Sequence, residues 1–144
     1  MEVAMRLQSE FQPSGVVIFT ATESAGPPLM NVVAITAPPI GYTVEDFTRP
    51  RMTISQIMVE INHELIIDDT LVHPLVRSGE VETTMGVMAF LGVPVRYKGA
   101  AVGGVSAIHQ TRRSWNTDEI YAVRRAAASM GDVFAKRRKR RFLF

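Results

Sequence analysis

Two apolar runs separated by a short turn constrain this chain more than any other feature. Residues 87–96 read Val-Met-Ala-Phe-Leu-Gly-Val-Pro-Val-Arg, Tyr97-Lys98-Gly99 follows, and residues 100–108 are small or apolar apart from Ser106. Apolar runs joined by a glycine-containing turn predict a β-hairpin. Pro94 has no N–H to offer a ladder, so its strand is expected to bulge there or to lack a partner on that side.

The remaining segments fill in around this hairpin. Val16-Val17-Ile18-Phe19-Thr20 is β-branched and aromatic, and stands between Ser14-Gly15 and a loop over residues 23–28. Residues 29–36 form a second β-like run that Pro38, Pro39 and Gly41 end, and Leu65-Ile66-Ile67 is a short strand closed by Asp68-Asp69-Thr70. Val3, Leu7 and Phe11 recur every four residues ahead of Pro13 and predict an opening helix. Ile54, Ile57, Met58 and Ile61 predict a short amphipathic helix over residues 53–61, whereas residues 41–51 show no clean period and read as loop. Asn116 followed by Glu119 resembles a capping box. The stripe Ile120, Val123, Ala127, Met130 and Phe134 then predicts one helix running to Arg138 or beyond, with its basic end suited to the helix dipole. Helix, two strands, irregular middle, hairpin and helix make an α+β domain on an antiparallel sheet.

Size and charge narrow the classes. A chain of 144 residues has room for one core, and folding removes roughly two thirds of its unfolded surface from water. No apolar run approaches the ~20 residues of a membrane span, and Glu2, Arg6 and Glu10 break up the first ten residues, so a cytoplasmic address is expected. There is no cysteine, which excludes disulfides, thiolate metal sites and cysteine nucleophiles. Six of the sixteen basic residues form the run Lys136, Arg137, Arg138, Lys139, Arg140 and Arg141, leaving ten against fourteen acidic ones. The expected division is a single domain over residues 1–135 and a basic tail over 136–144. That tail is first a solvated helix end; the sharper alternatives are contact with nucleic acid or with an anionic membrane.

The ordered motifs resemble one known family. Asp68-Asp69-Thr70-Leu71-Val72-His73-Pro74-Leu75-Val76-Arg77 precedes Ala89-Phe90-Leu91-Gly92-Val93-Pro94-Val95, then Gly103-Gly104-Val105-Ser106-Ala107-Ile108, then the helix start at Trp115-Asn116-Thr117-Asp118-Glu119. Together they resemble the GAF domain of bacterial signalling proteins, over roughly residues 14–134. The resemblance implies a PAS-related antiparallel sheet of five or six strands, with N- and C-terminal helices on one face and a small-ligand pocket on the other. It also implies a sensory or pairing role, homodimerisation through the terminal helices (residues 1–11 and 117–134), and signalling to a separate partner. Without cysteine the chain cannot act like the free methionine sulfoxide reductases of this fold or attach a bilin covalently. The cyclic-nucleotide signature of the family cannot be assembled at sensible spacing. Haem-binding members use a histidine, for which His73 and His109 are the candidates by residue type; no cofactor is expected.

Other chemistries find less support. His63, Asp68, Asp69 and His73 are metal-ligand types within eleven positions, but their spacing matches no zinc motif, and the aspartates are suited to capping a turn. Ser106 lacks the flanking glycine of a nucleophile elbow and reads as a strand position, so no enzyme activity is expected. On the fold reading the ligand-facing residues are Phe19, Ile35, Ile57, Ile61, Leu71, Met88, Phe90 and Ala107, with His73 and His109 as polar anchors. About half of these are expected to serve packing alone. Their aliphatic character and eight methionines predict a small, adaptable, mainly apolar cavity, with Arg77 or Arg96 available for an anionic group. The competing expectation is a structural homodimerisation module without a ligand.

Overall fold

The computed structural model of the chain describes residues 2–22, 29–36, 54–76 and 86–142. The elements are α1 (Glu2–Phe11), β1 (Gly15–Thr22), β2 (Leu29–Ile35), α2 (Ile54–Ile61), β3 (Leu65–Ile67), β4 (Ala89–Tyr97), β5 (Ala100–His109), α3 (Thr117–Ala128) and α4 (Gly131–Phe142). The loops read at 23–28 and 41–51, and Arg77, lie outside the described residues. Among the described residues no helix is long and apolar enough to cross a membrane.

The strands form one sheet in the order β2-β1-β5-β4-β3, with every neighbouring pair antiparallel. The β4–β5 hairpin closes through Lys98 (φ 51°) and Gly99 (φ 83°), the paired positive φ values that a two-residue type I′ turn requires. β3 pairs only with Phe90, Leu91 and Gly92. Pro94 therefore has no neighbour on that edge among the described residues, and its missing N–H leaves no ladder bond broken. A bulge lies just beyond it. Val95 faces Gly103 while Arg96 faces Ala101, so Val102 is the extra residue, and side-chain direction along β5 shifts there.

Both faces of the sheet are covered, which is why β1 reads as a continuous apolar run rather than an alternating one. Val16, Ile18, Leu91, Val93, Val105 and Ala107 face α1, α3 and α4, whose Leu7, Val123 and Phe134 complete one core. Val17, Phe19, Phe90 and Ile108 point the other way and meet Ile54, Met58 and Val59 of α2 in a second core. The terminal helices thus share one face, as the motifs implied.

α1 is fastened to the sheet by a polar chain: Thr36 Oγ1 donates to Gln8 Oε1 at 2.6 Å and accepts the Val16 N–H at 2.8 Å. The capping box at α3 is complete, with Glu119 N–H on Asn116 Oδ1 at 2.8 Å and Asn116 N–H on Glu119 Oε1 at 2.9 Å. One expectation is corrected. The last helix is two helices, interrupted at Ser129 and Met130. The Met130 N–H tightens to the Ala127 carbonyl and Ser129 Oγ donates to Ala126 O at 2.8 Å. Gly131 then packs against the Arg96 carbonyl so closely that a Cβ could not fit. The apolar stripe survives the break, since Val123, Ala127 and Phe134 are all buried.

Candidate functional site

The face beneath α2 is built from cross-strand rows, because paired residues of neighbouring strands point the same way. One row runs Ile35, Val17, Ser106, Gly92, Leu65 across all five strands. The row on one side carries Phe19 and Gly104, and the row on the other carries Ile108, Phe90 and Ile67. Gly92 and Gly104 leave a shallow trough of bare backbone in the middle. Side chains from above fill it. A Cβ at Gly92 would lie 2.5 Å from the Phe90 ring and 2.7 Å from Met58 Sδ, and one at Gly104 would lie 2.5 Å from the Met58 methyl and 2.7 Å from the Phe19 ring.

Ser106 supplies the polar group at the centre of this face. It is 1% exposed, and its Oγ has no hydrogen-bond partner among the described residues. The one buried charged side chain among the described residues, Glu119, belongs to α3 at the opposite face.

The structure sorts the residues expected from sequence into three groups. Phe19, Ile35, Ile57 and Phe90 belong to the α2 face. Met88 is half-buried at its margin, where its backbone accepts the Thr70 N–H and donates to His109 O, both at 2.8 Å. Ile61 and Leu71 are 45% and 74% exposed, and His73 stands beside Leu71 with Nδ1 accepting the Leu75 N–H at 3.3 Å. Ala107 and His109 require correction. Ala107 lies in the core under the terminal helices, and His109 shares its direction along β5. Both therefore face away from α2.

His109 instead joins a polar junction. Its Nδ1 accepts the Ser14 N–H at 3.1 Å, which places the neutral ring's proton on Nε2. Burial and the nearby Arg113 charge hold its pKa below the ordinary 6.5, against a smaller opposing pull from Glu119. Arg113 is the hub. Its Nη2 donates to Phe11 O at 2.8 Å and forms a short ion pair with the buried Glu119. Its guanidinium stacks 4.9 Å from the Trp115 ring centre and 5.7 Å from that of Phe11. The same segment reaches the end of β3: Arg113 N–H donates to Asp68 O at 3.2 Å and Trp115 Nε1–H to Ile67 O at 3.1 Å. The end of α1, the start of α3 and the end of β3 therefore meet at one side chain and its neighbours.

Two of the possible metal ligands, Asp69 and His73, each accept the backbone N–H two residues on. Asp69 Oδ1 accepts the Leu71 N–H at 3.0 Å, and no three histidine or acidic side chains gather among the described residues. Arg96 spends its guanidinium on Asn62, with Nε 2.8 Å from Oδ1 and Nη2 2.9 Å from the carbonyl, which fixes the end of α2 to the hairpin. From sequence, Met58 was legible only as a helix position and Ser106 only as a strand position, and Arg113 did not stand out. The signals available for the first two were Gly92 and Gly104, glycines inside apolar strands that mark a close approach.

The family model for the GAF domain matches residues 3–132. The chain belongs to the GAF domain family. GAF domains are sensory, ligand-binding modules. Solved structures share the fold at low identity. GAF3 of Slr1393 from Synechocystis, in its photoproduct state, is 16% identical with a TM-score of 0.73, covering 98% of this chain and 94% of that one. The GAF domain of a phosphoenolpyruvate-protein phosphotransferase from Coxiella burnetii is 15% identical with a TM-score of 0.74, covering 96% and 81%. A type II free methionine-R-sulfoxide reductase from Thermoplasma acidophilum is 12% identical with a TM-score of 0.72, covering 93% and 88%. No curated protein matches the chain.

Proposed function

We propose that this GAF domain is a non-enzymatic cytoplasmic sensor that binds a small molecule on the α2 face and signals through its terminal helices. The observation that carries this reading is the division of the sheet into two separate cores. One is closed by α1, α3 and α4, and the other by the eight-residue α2. Phe19, Ile35, Ile57 and Phe90 form the ligand wall, with Met88, His73, Ile61 and Leu71 towards its margin. Binding acts by population shift: whatever moves the end of β3 pulls on Asp68 O and Ile67 O, and through Arg113 on Phe11 and Glu119. The output is read by a separate signalling partner or by a second copy of the chain. A groove of about 310 Å³ between α1 and α3, lined by Val3, Leu7 and Ala126 and by the charged Arg6, Glu10 and Arg125, is our candidate for that pairing.

A second reading is a structural homodimerisation module without a ligand, and the filling of the glycine trough by Met58, Phe19 and Phe90 favours it. Native mass spectrometry of freshly purified protein, followed by denaturing analysis of anything released, separates the two. The sensory reading expects a stoichiometric small molecule on the dimer. A ligand-free dimer that stays unchanged across a metabolite panel would transfer the assignment to the pairing module.

A further inference from the structure

Ser106 presents a problem that the surrounding residues do not solve. Its hydroxyl is almost wholly buried and has no hydrogen-bond partner among the described residues. Native proteins rarely leave such a group alone, because a buried hydroxyl that gives up its hydrogen bonds to water without replacing them destabilises the fold. Its row neighbours Val17, Gly92, Ile35 and Leu65 have no polar side-chain atoms to offer. Directly beside it the backbone is bare at Gly92, and the nearest material above that glycine is the Met58 thioether and the Phe90 ring.

We infer that a small, flat, uncharged molecule with one hydrogen-bonding group occupies the position of the Met58 thioether, lying against Gly92 and Gly104 and bonded to the Ser106 hydroxyl. The inference rests on the sensory reading and names the chemical class of its ligand. Met58 is the side chain suited to give way: unbranched and polarisable, it fills irregular gaps and leaves them readily. The rings of Phe19 and Phe90 offer planar walls above the two glycines, and removing either glycine's freedom of approach would close the trough. A charged ligand does not fit: among the described residues the buried polar side chains of α2 and Ser106 are neutral, the one buried charged residue, Glu119, is on α3 at the opposite face, and an unpaired ion would lose its hydration uncompensated.

The test uses phenol and toluene, which share shape and differ in the hydroxyl, titrated against the full chain with carbon-13-labelled methionine methyl groups. Met58→Leu assigns the Met58 resonance. Both probes are expected to move that resonance, and Ser106→Ala is expected to lower the ratio of toluene to phenol dissociation constants about 3- to 10-fold, the worth of one net hydrogen bond. Comparing ratios cancels toluene's greater hydrophobicity. A ratio unchanged within 2-fold, or a Met58 resonance that neither probe moves, overturns the inference. If native mass spectrometry nevertheless finds a retained small molecule, the sensory reading stands without it. If the probes behave as expected but no molecule is ever retained, the chemistry of the trough is upheld while the sensory reading loses its support.

Discussion

The two faces of this sheet are made from nearly the same residue types and are held in different ways. The helix-side face is fixed from several directions: a Gln8–Thr36–Val16 chain, a complete capping box and a buried Arg113–Glu119 pair all hold helices onto it. Among the described residues the α2 face has one short helix, a methionine across two glycines, and a buried hydroxyl without a partner. Apolar content alone does not separate a rigid core from an adaptable one. What separates them is whether the polar groups at the boundary are satisfied and whether the central side chains are stiff.

The largest expected effect comes from breaking the rigid side. Leu91, fully buried among the terminal helices, should lose about 2–5 kcal/mol on substitution by Ala, read as a lower urea midpoint. Arg113→Ala should cost about 3 kcal/mol, because it strands a buried Glu119 carboxylate. Adding Glu119→Gln should recover part of that loss, and independent additive losses would contradict the pairing.

Ser106→Ala sharpens the contrast in the opposite direction. Removing an unsatisfied hydroxyl from the α2 face should raise stability by about 1 kcal/mol, where the same change at a satisfied serine lowers it. A lowered melting midpoint would show that the hydroxyl has a partner. The smallest effect is in pH. The folded-state pKa of His109 lies below 6.5, so the unfolded chain takes up its proton first. The stabilising contribution is complete above about pH 6.5 and is lost as pH falls from there through the depressed folded value. His109→Gln should flatten that part of the stability profile; an unaltered slope between pH 7 and 5 would remove His109 from the account.

Much of the fold was legible because its signals are local. The Tyr97-Lys98-Gly99 turn, the Asn116–Glu119 cap and the short α2 stripe each lie within one window of sequence. The break at Ser129 was not, since Ile120 to Phe134 keeps one apolar period across it and the cause, the Arg96 carbonyl, is thirty-odd residues away. The site was less legible for a related reason. With both faces buried, Ala107 and Ile108 look equally suited to either, and the extra residue at Val102 resets the alternation between the turn and the middle of β5. Ala107 and His109 were therefore assigned to the ligand side, and Ser106, next to Ala107, was read only as a strand position. Arg113 could not be found from its neighbours because Phe11 and Asp68, which it joins, are distant in the chain.

The central claim is that the α2 face adapts and that its movement reaches the terminal helices through Arg113. Hydrogen exchange read by mass spectrometry, with and without saturating phenol, tests it most directly. In the free protein α2 is expected to exchange faster than α3, phenol is expected to slow it, and peptides containing Phe11 and Glu119 are expected to change with it. Equal protection of α2 and α3 in the free protein, with no peptide altered by phenol, would contradict it.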